Sequence, residues 1–485
     1  MTRGFGRLKL LFVVVGLLIL GGLIFVLRSN TLDPTVLFSK ALCPKCNIIV
    51  VTLDTLGAKH MGLYGYNRPT TPFLDSFGRD RSTVFDTAIA QGSFTPTSHT
   101  SILTGRYPAE NRMYGTTDKL PPEAHTLAES LKASGYVTHA VSAAILIQPQ
   151  YGWGQGFDGF DERWFIDTVT NNDAATTFGL ASDWIKANKK QPFFLFINTN
   201  HLHSPHTPAS EAVLEELGVT PPLKIMDERD IVGPHLDTTG ITQEDANIMK
   251  DYYDGTVLEL DKVVKNFIAT LDKEGLMKNT IVIFEGDHSE QFGEHGIVGW
   301  FGVYEQQIHV PLIVYVPGQK PRRISPVVEL RSIPSTIRDL VGLKPDTEFT
   351  AASLVPFLTT KDAKGTVALT MHAFTDAQNA GMLKALLGKS PSVWESMKDA
   401  PPPLVRAVGD KPKDVWYSAR SDHWHLIKNA DGTLELYRVD KDPEETQNLI
   451  DKWYDLTVAD RKDALQVFQK LGADIPASCG PYCPR

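Results

Sequence analysis

The sequence predicts an α/β protein whose mostly parallel sheet is covered by helices on both faces. Short runs of consecutive apolar residues recur along the chain, helical patterns separate them, and polar residues directly follow several of them. Uninterrupted apolar runs are typical of strands that are buried on both faces. With 485 residues, the chain can form one large domain and a smaller appendage.

Five apolar runs are the candidate strands of this sheet. They are NIIVVTL (47–53), YVTHAVS (136–142), FFLFINT (193–199), TIVIFEG (280–286) and PLIVYV (311–316). Before the fourth run, DYYDGTVLELDKVVKNFIATLDK (251–273) has the periodicity of an amphipathic helix. We expect this helix to cover one face of the sheet.

The pattern changes beyond about residue 360. The segment DVWYSARSDHWHLIKNADGTLELYRVD (414–440) alternates between apolar and polar residues and contains an Asp-Gly turn. This combination predicts a small antiparallel sheet. We therefore expect a catalytic domain over 47–360 and a C-terminal subdomain over 361–485.

The N-terminal segment predicts a membrane anchor. Every residue from Leu10 to Leu27 is apolar or glycine, which is about the length that spans a bilayer. Three basic residues precede this segment and only Arg28 follows it closely, so the positive-inside rule places the N-terminus in the cytoplasm. We expect a single-pass anchor over 1–28, a linker over 29–46 and an extracytoplasmic domain, either periplasmic or extracellular. A cleaved signal peptide is the alternative.

Four cysteines occur as two close pairs, Cys43 with Cys46 and Cys479 with Cys483. In an oxidising compartment two disulfides are expected, with three possible pairings. A structural zinc cluster is the alternative, and either arrangement would tie the start of the domain to its end.

Charge argues against nucleic acid as a partner. The formal net charge is -9 and the chain has no basic run of the kind that follows a phosphate backbone.

Polar residues gather where the predicted strands end. Asp54 follows the first run, His201, His203 and His206 follow the third, and Asp287 with His288 follow the fourth. In open α/β sheets, ligands bind beyond the carboxyl ends of the strands. The sequence therefore predicts a functional site at this edge.

Thr95, in SFTPTSHTSILTG (93–105), has two interpretations. It could be a helix N-cap, with Pro96 at the first helical position and Gly105 ending the helix. Alternatively, a hydroxyl at a helix N-terminus is well placed to attack an anionic ester, because free N–H groups and the helix dipole favour negative charge.

Asp54, Thr95, Asp287 and His288 together suit one divalent metal ion. Zinc or manganese fits the histidine best, and calcium is possible. Such an ion would lower the pKa of the Thr95 hydroxyl and make it a nucleophile. His203 would then supply a proton to the leaving group.

Several ordered motifs extend this interpretation to a family. They are NIIVVTLDTLGAKHMGLYGYNRPTTPFLD, TSHTSILTGRYP, YGWGQGFDGFDE, HSPHTP, GDHSEQFGEHG, YEQQIHVPLIVYVPG and ELYRVDKDPEETQNL. Over roughly 47–455 the chain resembles the sulfatase branch of the alkaline phosphatase superfamily. The resemblance implies a central mixed sheet between helices and a smaller C-terminal sheet. By position it implies metal ligation by Asp54, Asp287 and His288, and substrate contact by His203.

The chain also departs from the family pattern. Thr95 stands where family sulfatases have the cysteine or serine that becomes formylglycine, and His99 stands where their signature has arginine. Threonine cannot form that aldehyde. Thr55 stands where many sulfatases have a second ligand aspartate. In these respects the site resembles the phosphoethanolamine and phosphoglycerol transferases, which use a threonine nucleophile.

The leading prediction is a membrane-anchored metalloenzyme that cleaves or transfers a phosphoester through Thr95. Its substrate would be an anionic ester of a small molecule, a glycan or a lipid head group. Further candidates for substrate contact are His206, His99, His295 and His309. The alternatives are an atypical sulfatase without formylglycine and a non-catalytic, membrane-tethered binding module.

Overall fold

The computed structural model describes residues 41–474, apart from 116–117, 163–173, 204–208, 221–241, 361–362, 375–411 and 413. Its strands are β1 (Asn47–Leu53), β2 (Thr83–Ile89), β3 (Val137–Ser142), β4 (Gly159–Asp161), β5 (Phe193–Thr199), β6 (Thr280–Glu285), β7 (Gln291–Phe292), β8 (Val298–Gly299), β9 (His309–Tyr315), β10 (Arg322–Ile324), β11 (Val328–Glu329), β12 (Ala368–Phe374), β13 (Asp414–Arg420), β14 (Trp424–Lys428) and β15 (Leu434–Arg438). Its α-helices are α1 (Pro72–Arg81), α2 (Thr95–Thr104), α3 (Leu127–Ala133), α4 (Ala174–Asn188), α5 (Glu211–Glu216), α6 (Gln243–Lys273), α7 (Glu305–Ile308), α8 (Ile333–Val341), α9 (Val355–Thr359) and α10 (Val458–Leu471).

Nine strands form the central sheet, in the order β10-β2-β9-β6-β1-β5-β3-β4, with β11 also beside β2. The strand β1 lies between β5 and β6 and is parallel to both. The strand β9 is antiparallel to its neighbours β6 and β2. The predicted mixed, mostly parallel sheet is therefore confirmed.

Helices cover both faces of this sheet, as the apolar strands require. Every residue of β1 is buried. Ile48 and Val50 point into a core shared with α2, α3, α8 and α9, whereas Ile49 and Val51 point into a core shared with α1, α4 and α6. The predicted cover helix is α6, which begins at Gln243 with Thr242 as its N-cap.

The C-terminal subdomain contains the antiparallel sheet that the alternating pattern predicts. Its strands lie in the order β12-β13-β14-β15, and the predicted Asp-Gly turn lies between β14 and β15. The helix α10 packs on this sheet through Phe468, which shares a core with Trp424. A second core, which includes Ile89 and Ile427, joins this sheet to the central one.

The structure corrects two expectations for the N-terminal region, which are the extent of the linker and the role of the first cysteine pair. Cys43 and Cys46 are buried and joined by a disulfide, and the Cys43 backbone N–H donates to the carbonyl of Leu340. These residues therefore belong to the packed domain, not to a linker. Because this disulfide is local, it does not tie the start of the domain to its end, and it excludes Cys43 and Cys46 from a zinc cluster.

The other features predicted for the two termini lie outside the described residues. The predicted anchor (1–28) falls there, and so do Cys479 and Cys483. Among the residues that the structure describes, no helix is both long and apolar enough to span a membrane.

We expect Gly286→Ala to destabilise the protein by about 1–3 kcal/mol, the usual cost of overpacking. A Cβ atom on Gly286 would lie 2.2 Å from the backbone oxygen of Leu56. A backbone atom cannot shift away without a substantial cost in free energy. As a control, Gly179→Ala in α4 adds a Cβ with no neighbour within 4 Å and should be neutral or stabilising. Urea unfolding measures both variants, and equal stability of the two would contradict the proposed clash.

Candidate active site

The candidate site lies where β1 and β6 end, at the carboxyl edge of the sheet. The parallel register pairs Thr52 with Glu285, so the residues that follow each strand come close together. Asp54, Asp287 and His288 are fully buried and offer potential ligand atoms within 4.8 Å of one another. The predicted convergence of these three residues is therefore observed.

Thr95 joins this cluster from α2. Its Oγ1 lies 3.2 Å from Nε2 of His288, and its side chain is almost fully buried. Phe94 occupies the N-cap position, Thr95 is the first helical residue, and no side chain caps the helix. The N-cap interpretation of Thr95 is therefore wrong, whereas Gly105 does end the helix, in a left-handed conformation with a φ of 64°.

The carboxylate oxygens of the cluster have few hydrogen-bond partners. Both oxygens of Asp54 and Oδ2 of Asp287 are buried, and within the described part of the chain no group makes a close hydrogen bond to any of the three. Burial raises the pKa of Asp54 well above its usual range, and the charges of Asp287, Glu290 and Glu285 raise it further, while the Asn198 amide opposes the rise. Unpaired buried carboxylates are costly, so this arrangement favours a bound cation.

The other oxygen of Asp287 is held by the backbone. Its Oδ1 accepts hydrogen bonds from the N–H groups of Thr55, at 3.1 Å, and His288, at 2.9 Å. In addition, Ser98 of α2 donates its hydroxyl to the Asp287 carbonyl at 2.7 Å. These contacts fix the carboxylate so that Oδ2 faces the cluster.

His288 is oriented through its second ring nitrogen. Its Nδ1 lies 3.1 Å from the carbonyl oxygen of Ser289, which can only accept a hydrogen bond. We therefore assign the proton to Nδ1, which leaves the Nε2 lone pair facing Thr95 and Oδ2 of Asp287, 3.6 Å away. A histidine that donates from one nitrogen and presents the other is typical of a metal ligand.

The turn after β1 is held in an unusual conformation. Thr55 has a φ of 64°, which is strained for a β-branched residue. The Tyr253 hydroxyl donates to the Thr55 carbonyl at 2.7 Å and accepts from the Gly57 N–H. The Thr55 hydroxyl donates to the backbone carbonyl of Asp54, so it is used to hold the turn and does not replace a ligand carboxylate.

His99 lies beside the cluster, and both of its ring nitrogens have protein partners. Nδ1 is 2.8 Å from the carbonyl of Thr95 and Nε2 is 2.9 Å from the Asn198 amide. Its Nδ1 also lies 3.5 Å from Oδ2 of Asp287. Burial lowers the pKa of His99, which favours the neutral ring. These contacts indicate a positioning role instead of the predicted substrate contact.

The remaining candidate histidines lie in different places. His203 follows β5 and packs against Trp300, with ring centroids 4.5 Å apart. His295 stacks on Tyr304, with ring centroids 3.8 Å apart. His309 contacts the Asp86 carbonyl and Glu305, and burial lowers its pKa, so these contacts indicate a structural role. His206 lies outside the described residues.

Two contacts of the site were missed by the sequence analysis. The Gln307 amide donates to the Ser289 carbonyl at 2.6 Å and lies beside Nδ1 of His288. Ser93 contacts His372, which is distant in sequence. Gln307 lies within the motif YEQQIHVPLIVYVPG, and its place in that motif was the sequence signal that could have indicated a role at the site. No local sequence pattern marks His372.

Comparison with known proteins decides the family. The family model described as Sulfatase matches residues 46–343, which include every residue of the cluster. The chain belongs to the sulfatase family. Arylsulfatase K of Xenopus laevis is 21% identical over 458 residues, which span 84% of this chain and 79% of that protein. Choline-sulfatase of Rhizobium meliloti is 22% identical over 379 residues, which span 65% of this chain and 72% of that protein.

Solved structures show the same fold. One is a complex with the substrate D-glucosamine-2-N,6-O-disulfate, with a TM-score of 0.65 and 18% identity over 88% of this chain and 97% of that chain. Another is the phosphonate monoester hydrolase of Agrobacterium radiobacter, also with a TM-score of 0.65 and 18% identity, over 88% of this chain and 96% of that one. The fold is therefore shared with a protein whose substrate is a disulfated sugar and with a phosphonate monoester hydrolase.

Asp54→Asn should change how the metal-free protein responds to pH. The pKa of Asp54 is raised in the folded state. Such a carboxyl group stabilises the folded state fully at pH values below its unfolded pKa, about 3.9. This stabilisation is lost as the pH rises through the folded pKa. We expect the variant to be at least as stable as the parent at pH 7 without metal, and to lose the stabilisation that divalent ions give the parent. Urea unfolding with chelator or metal measures both effects.

Asp261→Asn is the matched control for this experiment. Burial raises the pKa of Asp261 to about 6, but this carboxylate accepts the N–H groups of Phe73 and Leu74 at the start of α1, away from the cluster. This variant should keep the metal-induced stabilisation of the parent. Loss of that stabilisation in both variants, or in neither, would contradict metal binding through Asp54.

Proposed function

We propose that this sulfatase-family chain hydrolyses a sulfuric ester at a metal centre formed by Asp54, Asp287 and His288, with Thr95 as the nucleophile. The observation that carries the proposal is the Thr95 hydroxyl, 3.2 Å from Nε2 of His288, beside carboxylate oxygens that have no hydrogen bond. Relatives named arylsulfatase and choline-sulfatase support a sulfuric ester as substrate.

The residues fit a divalent metal ion. Two carboxylates, one imidazole nitrogen and one hydroxyl converge with unpaired oxygens, as a mixed oxygen and nitrogen site requires. Zinc and manganese suit the imidazole, and calcium remains an alternative because most of the donors are oxygens. Such an ion would lower the pKa of the Thr95 hydroxyl and take charge from a substrate oxygen.

The chain's own groups then perform two displacements. After the hydroxyl proton has left to solvent, Thr95 Oγ1 attacks the sulfur, the bond from sulfur to the leaving oxygen breaks, and that oxygen keeps the electron pair and takes a proton. Water then attacks the sulfur, the bond to Oγ1 breaks, and Thr95 regains its proton while sulfate departs. The helix N-terminus at Thr95 favours the negative charge of both transition states.

Phosphoester cleavage or transfer is the second candidate. It is favoured by the threonine itself, because an unmodified hydroxyl can form a phosphothreonine intermediate and cannot become formylglycine. A phosphonate monoester hydrolase with the same fold supports this candidate. Whether water or another hydroxyl receives the group would separate a hydrolase from a transferase.

The proton for the leaving group is the role proposed for His203. This residue follows β5, and the carboxyl end of β5 lies beside that of β1, which carries Asp54. Imidazole is the side chain best matched to proton transfer near neutral pH. Its packing against Trp300 would limit the orientations of the ring.

We also propose that the domain acts outside the cytoplasm, tethered by the apolar segment between Leu10 and Leu27. The segment has the length and the flanking charges of an anchor. The buried Cys43–Cys46 disulfide supports an oxidising compartment. The substrate would be an anionic ester of a small molecule, a glycan or a lipid head group that is present there.

Thr95→Ala should lower turnover by about a thousandfold or more, because the covalent route is lost. The purified protein is loaded with divalent metal and assayed with an aryl sulfate and an aryl phosphodiester, and intact mass reports any covalent adduct. Whichever ester is turned over, a sulfuryl or phosphoryl adduct in the parent should be absent from Thr95→Ala. Thr95→Ser keeps a hydroxyl and should retain part of the activity.

Thr100→Ala is the control for damage to α2. Thr100 is also buried in this helix, and its hydroxyl donates to the Pro96 carbonyl at 2.8 Å. This variant should lose less than about threefold, since the hydrogen bond that it removes is made to the helix backbone. Full activity in Thr95→Ala would contradict the assignment of Thr95 as the nucleophile. A parent protein that binds no metal and turns over neither ester would instead support a binding module.

His203→Gln should affect poor leaving groups most. General acid catalysis typically contributes 10²–10⁴-fold, and a nitrophenolate leaves without needing the proton. We expect kcat/KM to fall by about a hundredfold or more for an alkyl ester and by less than about threefold for a nitrophenyl ester. An equal fall for both esters would assign His203 to substrate binding.

A further inference from the structure

The C-terminal subdomain contacts the turn that precedes Thr95. The backbone N–H of Met371 in β12 donates to the Gln91 carbonyl at 3.1 Å, and the Thr370 hydroxyl donates to the Ala90 carbonyl. One residue further along β12, Nδ1 of His372 lies 2.7 Å from the hydroxyl oxygen of Ser93. The chain from residue 90 to residue 93 is thus fastened along β12.

The helix α7 also contacts Ser93, through the side chain of Gln307. The Gln307 amide nitrogen lies 3.4 Å from the Ser93 carbonyl and 3.4 Å from Nδ1 of His288. The side chains of Ser93 and Gln307 are completely buried. The turn that carries Thr95 is therefore held between one residue of the C-terminal sheet and one residue that also contacts the candidate metal ligand His288.

The ring of His372 is well restrained. It is 5% exposed, and its centroid lies 5.9 Å from that of Phe301 and 6.2 Å from that of Trp416. A buried side chain with this packing has few alternative rotamers, so it can hold a partner in one place. Burial lowers the pKa of His372 to about 3, so the ring is neutral at ordinary pH and the contact with Ser93 is a neutral hydrogen bond.

We propose that His372, supplied by the C-terminal sheet, is a positioning residue for the nucleophile: its Nδ1 holds the Ser93 hydroxyl and so fixes the turn that aims Thr95 Oγ1 into the site. This inference rests on the proposed role of Thr95 as nucleophile. A displacement of a reacting group by about 1 Å can cost a hundredfold in rate, so a hydrogen bond two residues from the nucleophile can control kcat.

Thr370 provides a control that separates positioning of the nucleophile from simple docking of the C-terminal sheet. Thr370 fastens the same strand to the same segment, three residues before Ser93. Thr370→Val removes that docking hydrogen bond and leaves the contact between His372 and Ser93. If His372 only docks the subdomain, the variants Thr370→Val and His372→Leu should have similar effects.

Substitutions at His372 separate the two ring nitrogens. Asparagine carries its polar atoms at the place of Nδ1, whereas glutamine carries them one bond further out, near the place of Nε2. We expect His372→Leu and His372→Gln to lower kcat by about 10- to 100-fold with KM within about threefold. His372→Asn should recover activity to within about threefold of the parent, and Thr370→Val should lose less than about threefold.

A double-mutant cycle tests the route through Ser93. Ser93→Ala should lower kcat about as much as His372→Leu, and the double variant should be no slower than the slower single variant, because both remove the same contact. Metal affinity and the urea midpoint are measured for each variant so that a general loss of structure is recognised. Multiplying effects in the double variant would overturn the proposal.

The experiment includes Thr95→Ala, so the two failures are distinguishable. Full activity of Thr95→Ala would overturn the proposed function and this inference with it. An inactive Thr95→Ala together with parent-like kcat in His372→Leu, or equal losses in His372→Leu and Thr370→Val, would overturn the role of His372 alone.

Discussion

The burial of several carboxylates close together is the constraint on which this site depends. Among the described residues none makes a close hydrogen bond to either oxygen of Asp54, and burial, followed by the charges of Asp287, Glu290 and Glu285, raises its pKa. A fold gains nothing from such an arrangement unless a cation offsets it. The surrounding contacts accordingly fix donor atoms in place and leave their free lone pairs facing one point: the backbone holds Oδ1 of Asp287, and Ser289 holds Nδ1 of His288.

The central sheet brings these groups together. Parallel pairing of β1 and β6 sets Asp54 beside Asp287, and the strained turn at Thr55 lets its N–H reach Oδ1 of Asp287. Strain of this kind, of order 1–3 kcal/mol, persists only where other contacts oppose its release. Tyr253 of α6 provides one, since its hydroxyl bonds the Thr55 carbonyl. A helix that covers the sheet therefore also shapes the site.

The sequence was enough to predict five of the nine strands of the central sheet, the C-terminal sheet and the cluster of Asp54, Asp287 and His288, because strand ends and apolar runs are local signals. The N-cap interpretation of Thr95 failed because Phe94 takes the extended conformation before the helix, which leaves the Thr95 hydroxyl facing His288. Contacts of His372 were not predictable, since nothing in the pattern of β12 states which loop of the other sheet it meets. Tertiary packing alone decides such partners.

Charge also limits which esters suit the site. A sulfuric monoester and a phosphodiester each carry one negative charge, whereas a phosphate monoester carries close to two at pH 7. Beyond the effect of burial, the charges of Asp287, Glu290 and Glu285 raise the pKa of Asp54, so several acidic side chains surround the proposed metal site. His99, which stands where the family signature has arginine, is favoured in its neutral form by burial and adds no full positive charge. A singly charged ester therefore meets less repulsion here, and both proposed substrates share that property.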